Sequence, residues 1–147
     1  QVVVSGLKKD INLLSDDLNN KKIKNLKLNV SAPFHCKYMR IASEKMTSYI
    51  NKLNINDLEK PIISNVTANE TISSKEIKSL LISQIEKKVR WLESVEYMID
   101  KGVKNFVEIG PGKVLSGLIK RINKNVNIYS INSDDDIKFL INDKFKK

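Results

Sequence analysis

The chain has 147 residues and a formal net charge of +9 at pH 7, with 41% hydrophobic and 29% charged residues. This length and composition suit one core-forming unit, or a piece of a larger one, and exclude an intrinsically disordered segment. No apolar run approaches the roughly 18 residues of a membrane span, so we expect no membrane association.

Lysine supplies nearly all of the positive charge, since only Arg40, Arg90 and Arg121 are arginines. A basic surface can attract nucleic acid or an acidic protein. Nucleic-acid binders interleave basic and aromatic residues, whereas aromatic residues make up only 6% of this chain. The composition therefore argues against nucleic acid as the partner.

The chain contains one cysteine, Cys36, so an internal disulfide is excluded. No secretory signal is visible at its start. Both features favour a reducing compartment, and we expect a cytoplasmic location.

The first thirty residues are predicted to form a strand, a helix and a second strand. Residues 2–5 are a β-branched run ending at Gly6, and residues 26–30 alternate like a strand. Between them, residues 8–19 carry leucine and isoleucine at near-helical spacing.

After Pro33 the apolar spacing becomes that of a helix, and His35 stands one turn before Met39 on its apolar face. Residues 61–66 then predict a strand. The next predicted helix opens with a capping box formed by Ser73 and Glu76. Gln84 falls inside its apolar stripe, where a buried amide must find a hydrogen-bond partner.

The remaining residues alternate between helices and strands. Helix 91–99 is expected to stop at Gly102 in a left-handed conformation. Strand 105–109, helix 114–122, strand 127–131 and helix 137–145 follow. An acidic cluster at residues 134–136 suits the start of the last helix. The alternation predicts an α/β fold with a largely parallel sheet.

The glycine-rich segment 110–117, GPGKVLSG, follows a strand and leads into a helix, as phosphate-binding loops do. A dinucleotide-binding fingerprint would need glycine at Leu115, and a Walker loop would need Lys-Ser or Lys-Thr after its second glycine. We interpret the segment as a tight turn, with Pro111 suited to a helix start.

The only histidine and the only cysteine are neighbours, His35 and Cys36. They supply too few ligands for zinc, and adjacent residues on a helix point about 100° apart, which excludes a local Cys-His nucleophilic pair. Cys36 is interpreted as a small core residue. His35 fits either a structural residue or a general base, because a helix N-terminus would keep its ring neutral and able to accept a proton.

Five segments, taken in order, resemble the malonyl-CoA:acyl-carrier-protein transacylase family of fatty acid synthesis. They are QVVVSG at 1–6, SAPFHC at 31–36, Gln84 with Trp91 seven residues on, SVEYM at 94–98 and EIGPGKVLSGLIKRI at 108–122. The resemblance runs the whole chain. It implies that residues 1–30 are the C-terminal part of a ferredoxin-like small subdomain, and residues 31–147 the C-terminal part of an α/β-hydrolase-like large subdomain.

The resemblance also implies roles for three residues. His35 is expected to be the general base, and Gln84 to orient it through its backbone carbonyl. Phe34 is expected to favour malonyl over methylmalonyl by filling the space of an α-methyl, a difference worth about 1–3 kcal/mol. The family moves malonyl from malonyl-CoA to the phosphopantetheine thiol of acyl carrier protein, an acidic partner, through an acyl-serine. It needs no metal or bound cofactor and is expected to be monomeric at full length.

This chain departs from the family in lacking the nucleophile. No Gly-x-Ser-x-Gly pattern occurs among its five glycines. The arginine that holds the malonyl carboxylate and the glutamine of the oxyanion hole are missing too. We therefore expect the isolated chain to be inactive. The alternatives are a remnant that only binds acyl carrier protein and, more distantly, a basic nucleic-acid-binding module.

Overall fold

The computed structural model describes residues 2–144, which form two compact units divided between Arg90 and Trp91. Within residues 2–144, no helix is both long and apolar enough to cross a membrane. Helices and strands alternate from Trp91 onward, as the α/β pattern predicts.

The first unit is mainly helical, with one short antiparallel pair of strands in which Ile62 faces Thr71. A single 3₁₀ turn, Lys37–Met39, leads directly into its second helix. Its elements are α1 (Lys8–Asn20), α2 (Arg40–Lys52), β1 (Ile62–Ile63), β2 (Glu70–Thr71) and α3 (Ser74–Ser83).

The second unit is an alternating α/β arrangement whose two strands are parallel and in register from Asn105 opposite Asn127 to Ile109 opposite Ile131. Its last helix continues as a wider π-type turn over Leu140–Lys144. Its elements are α4 (Trp91–Asp100), β3 (Asn105–Ile109), α5 (Val114–Ile122), β4 (Asn127–Ile131) and α6 (Asp134–Phe139).

The core of the second unit joins two helices to one strand. Val95 of α4 is fully buried, and it packs with Phe106 of β3 and Ile119 of α5. Burying side chains of this size contributes about 1.5–3 kcal/mol each, so these contacts hold the elements together.

Two helices end in the same hydrogen-bonded motif. At the end of α4, Gly102 has φ 89°, its N–H donates to Ile99, and Val103 N–H donates to Met98. This is the Schellman arrangement, and it confirms the predicted left-handed stop at Gly102. At the end of α1, Lys22 occupies the equivalent position with φ 56°, which no sequence signal indicated.

The prediction of strands at residues 2–5 and 26–30 is wrong. Neither segment pairs with another strand among the described residues, and Val2 and Leu26 are 87% and 85% exposed. A strand requires a hydrogen-bonded neighbour, and local β-pattern alone does not supply one. Of the predicted strand 61–66, only Ile62 and Ile63 pair with a neighbour, and that neighbour, β2, has no sequence signal.

The predicted capping box of α3 forms only in part. Ser73 Oγ accepts from the N–H of Glu76, but the Glu76 carboxylate bonds the Thr71 hydroxyl instead of returning to Ser73. A complete capping box opens α6, where Ser133 and Asp136 cap each other's N–H groups. The last helix therefore begins at Asp134, before the predicted start, and residue 145 of that prediction lies outside the described residues.

Candidate active site

His35 lies in the turn that precedes α2, and its side chain is exposed. The prediction that it shares the apolar face of the helix is wrong, because helical structure begins only at Lys37. Its φ of 60° is left-handed, which costs an L-residue about 1–2 kcal/mol. Strained backbone of this kind clusters at functional sites.

The ring of His35 meets the end of α3. Its Nδ1 lies 2.8 Å from the backbone carbonyl oxygen of Gln84, a residue 49 positions away. A carbonyl oxygen only accepts, so this hydrogen bond places a proton on Nδ1. In the neutral ring, Nε2 then carries the lone pair that can accept a proton.

Gln84 is the C-terminal cap of α3, with φ −65° and ψ −17°. The last carbonyls of a helix need partners outside the helical ladder, and the imidazole N–H supplies one. The sequence argument placed His35 under the influence of a helix N-terminus. The structure instead sets Nδ1 against a helix C-terminus, whose partial negative charge favours a positively charged ring.

The loop between β1 and β2 borders this contact and was missed by sequence reasoning. Asn65 Nδ2 donates to Gln84 Oε1 at 3.5 Å, at the long end of the range. Arg90 ties the same loop down, because its N–H donates to Asn65 O and its guanidinium to Thr67 O, at 2.9 and 2.8 Å. These contacts join distant residues, so local periodicity gave no sign of them.

Cys36 is half-buried rather than a core residue, which corrects the sequence interpretation. Its thiol donates to Pro33 O at 3.1 Å, and its sulfur receives the Ser5 hydroxyl at 3.9 Å. The cysteine that follows His35 is thus a hydrogen-bonding member of the same turn.

Phe34 directly precedes His35 and is 46% exposed. Its N–H donates to Ala32 O at 3.0 Å, so its backbone is held while much of its ring remains open to a ligand. Its role in substrate selection stays a prediction.

The glycine-rich segment of the second unit is closed by the chain's own carboxylate. Glu108 accepts from Leu115 N–H at 3.0 Å and from Ser116 N–H at 2.7 Å, at the start of α5. The hydrogen bonds from Ser116 are the main cause that lowers the pKa of Glu108 from its usual 4.5. The amides that would hold a phosphate are occupied, as the tight-turn interpretation requires. Pro111 precedes α5 rather than starting it, since the cap is Lys113.

Among residues 2–144, no group of three or more His, Cys, Asp or Glu side chains could hold a metal ion.

The chain is similar in sequence to bacterial malonyl CoA-acyl carrier protein transacylases. It is 42% identical over 141 residues to the Staphylococcus aureus (strain MSSA476) protein, covering 94% of this chain and 45% of that one. The Bacillus subtilis (strain 168) protein is 38% identical over 142 residues, covering 96% of this chain and 45% of its own length. No protein-family model matches the chain.

Solved structures agree. The transacylase from Clostridium perfringens superposes with a TM-score of 0.83 at 37% identity, over 89% of this chain and 42% of that chain. A malonyl-transacylase in complex with a type II polyketide acyl-carrier protein superposes with a TM-score of 0.85 at 31% identity, over 91% and 44%. These matches confirm the family resemblance and the α/β fold class. The chain spans about half the length of the curated relatives it matches.

Proposed function

We propose that this chain, a member of the malonyl CoA-acyl carrier protein transacylase family, supplies the general base for malonyl transfer from malonyl-CoA to the phosphopantetheine thiol of acyl carrier protein. The observation that carries the proposal is the 2.8 Å contact between His35 Nδ1 and the Gln84 carbonyl. It orients the ring and leaves Nε2 as the proton acceptor, the task that aspartate performs in a Ser-His-Asp triad.

In the first half-reaction, Nε2 accepts the hydroxyl proton of a nucleophilic serine as the serine oxygen attacks the thioester carbonyl. The carbon–sulfur bond then breaks, and His35 returns the proton to the departing coenzyme A sulfur. In the second half-reaction, His35 takes the proton of the pantetheine thiol, which attacks the acyl-serine, and passes it to the serine oxygen. The imidazolium present between these transfers faces the carbonyl end of α3, where positive charge is favourable.

We propose that Phe34 contributes malonyl selectivity, because it directly precedes the base and is 46% exposed. Rejection of an α-methyl by such a ring is worth about 1–3 kcal/mol, so selectivity is expected to be partial. Both substrates bring their own thiol or thioester, and the chemistry needs no bound cofactor.

The 147 residues contain no Gly-x-Ser-x-Gly pattern, so the proposed reaction needs a serine from outside them. We assign residues 1–30 to the closing part of a small subdomain and residues 31–147 to the large one. The chain by itself is expected to be inactive, because loss of a triad member leaves only residual catalysis in enzymes of this logic.

An acidic acyl carrier protein is the partner that the charge favours. The net charge of +9 would attract it, and such complementarity raises association rates more than affinity. A structural neighbour is itself a malonyl-transacylase in complex with an acyl-carrier protein, which supports this choice. One cysteine and a coenzyme A substrate fit a cytoplasmic setting.

The test combines this chain with the part of the Staphylococcus aureus relative that it does not match, supplied as a separate polypeptide. Radiolabelled malonyl transfer to acyl carrier protein is measured. We expect no transfer by the chain alone, transfer by the mixture, and a loss of about 10²- to 10⁴-fold in His35→Ala, the usual contribution of a general base. Tyr49→Ala, an exposed change on α2, is the matched control and should be silent.

Transfer that His35→Ala leaves intact would contradict the proposal. Saturable binding of acyl carrier protein without transfer in any mixture would favour the alternative, a remnant that only binds the carrier.

A further inference from the structure

The Cys36 thiol forms hydrogen bonds in the turn that carries His35. A role as a core residue or as a nucleophile does not explain these bonds. The left-handed φ of 60° at His35 is unfavourable, so something must hold the turn in that conformation. The two groups that bracket His35 in sequence, the Pro33 carbonyl and the Cys36 thiol, are joined by a hydrogen bond of 3.1 Å.

This bond closes the turn across its two central residues, Phe34 and His35. In a hydrogen-bonded β-turn the carbonyl of the first residue accepts from the fourth residue's N–H. Here residues 34 and 35 form such a turn, and the thiol of the fourth residue, Cys36, is a further donor to the carbonyl of Pro33. A left-handed third residue is the conformation that type II turns require, so closing the turn favours the strained φ at His35.

The sulfur takes part in two contacts. The Ser5 hydroxyl donates to it at 3.9 Å, which leaves its proton for Pro33. The Cys36 backbone caps the 3₁₀ turn, where its carbonyl accepts the N–H of Met39 at 2.9 Å. Cys36 therefore anchors the His35 turn to the start of α2.

We infer that Cys36 is a positioning residue, whose thiol holds the left-handed turn so that Nδ1 of His35 reaches the Gln84 carbonyl. This inference rests on the proposed role of His35 as the base, although its geometry can be measured without activity. Cys36 transfers no proton and forms no bond to substrate. Its effect passes through the tautomer and orientation of the ring.

The experiment uses the full chain labelled with ¹⁵N, in which the single histidine gives unambiguous ring signals. The ratio of Nδ1–H to Nε2–H tautomers and the backbone coupling that reports φ of His35 are measured at about pH 8.5, where histidine is neutral. The variants are Cys36→Ala, which removes the donor, and Cys36→Ser, which restores an O–H donor. Ser5→Ala is the matched control, because it removes a neighbouring hydroxyl and leaves the bond to Pro33.

We expect the Nδ1–H tautomer and the left-handed coupling in the native chain, in Cys36→Ser and in Ser5→Ala. In Cys36→Ala we expect a shift of about two- to fivefold toward Nε2–H, the size that follows from losing one weak S–H···O bond. Unchanged ratio and coupling in Cys36→Ala would overturn the inference. Absence of the Nδ1–H tautomer from the native chain would instead contradict the proposed orientation of the base, so the two failures are distinguishable.

A second measurement uses only the native protein, so it holds even if Cys36→Ala does not fold. The S–H stretching band of the native protein, which has one thiol, is compared by Raman spectroscopy with that of the unfolded chain. The S–H band of a donating thiol lies at lower frequency. We therefore expect the band of the folded chain to lie below that of the unfolded chain. Equal frequencies in the two states would overturn the inference.

Discussion

Sequence patterns predict the strands of the second unit correctly and those of the first unit poorly. In the second, β3 and β4 are each other's partner, and the core of Val95, Phe106 and Ile119 lies among its own elements. In the first, segments 2–5 and 26–30 have the pattern of strands but no partner among the described residues. A strand pattern is therefore informative about structure only where a neighbour is present to satisfy it.

The same contrast appears at the ends of two helices. The Schellman motif after α4 uses Gly102, which adopts positive φ without penalty, whereas the motif after α1 uses Lys22. The second unit has the residue that its backbone requires, and the first unit tolerates a strained one.

The largest expected effect is on the core of the second unit. Phe106→Ala should lower the free energy of unfolding by about 3–5 kcal/mol, because it removes a buried aromatic ring and leaves a cavity. Leu26→Ala, at an exposed position of the first unit, should change it by less than about 0.5 kcal/mol. Urea unfolding measures the free energy of unfolding of both variants, and hydrogen exchange of the β3 amides reports the stability of the second unit. Equal losses would remove the contrast between the units.

Gly102→Ala should destabilise the chain by about 1–2 kcal/mol, the cost of a Cβ in left-handed backbone. Among residues 2–144, no atom outside its chain neighbours lies within 4 Å of the added methyl, so crowding contributes little. Thermal unfolding measures the change. A neutral substitution would show that the motif relaxes around alanine.

Lys22→Gly should stabilise the chain by about 1 kcal/mol, because glycine relieves the left-handed strain. Lys9→Gly makes the same chemical change inside α1 and should destabilise by about 0.5–1 kcal/mol. Thermal unfolding should show opposite signs for the two variants, and a loss of stability in both would contradict the strain at Lys22.

The smallest expected effect is a dependence on pH in the second unit. The pKa of Glu108 is lowered, chiefly by hydrogen bonds from Ser116, so its charged form is favoured in the folded state. Its stabilising contribution is present above pH 4.5 and is lost as the pH falls through the lower folded-state pKa. The stability difference between the native chain and Glu108→Gln should therefore shrink as the pH falls below 4.5. Thermal midpoints of the native chain and of Glu108→Gln, with Glu96→Gln as control, measure this across the pH range. A difference between the native chain and Glu108→Gln that stays constant would contradict the prediction.

Much of the second unit could be predicted from sequence, because its signals are local. The bounds of β3, α5 and β4 follow directly from apolar spacing, and Gly102 marks the end of α4. Apolar spacing predicts that α6 starts at Ile137, but the Ser133 capping box starts it earlier, at Asp134. In the first unit the apolar spacing predicts the helices, whereas segments 2–5 and 26–30 have a strand pattern without forming strands.

The candidate site lay further beyond local reasoning. Nothing in the sequence indicates positive φ at a histidine, and the contact between His35 and Gln84 joins residues 49 positions apart. Family resemblance named both residues, but not the Cys36 thiol bond or the Asn65 loop, because these depend on tertiary geometry. Cys36 was assigned to the core on its residue type alone.

We propose that His35 is a base oriented by the backbone carbonyl of Gln84. Removing the side chain of His35 removes the ring, whereas removing that of Gln84 leaves the carbonyl in place. With the part of the Staphylococcus aureus relative that this chain does not match supplied as a separate polypeptide, malonyl transfer is compared for His35→Ala and Gln84→Ala. We expect a loss of about 10²- to 10⁴-fold for His35→Ala. We expect a loss within about tenfold for Gln84→Ala, which keeps the carbonyl and removes only the long contact with Asn65. Equal losses in the two variants would contradict the proposal.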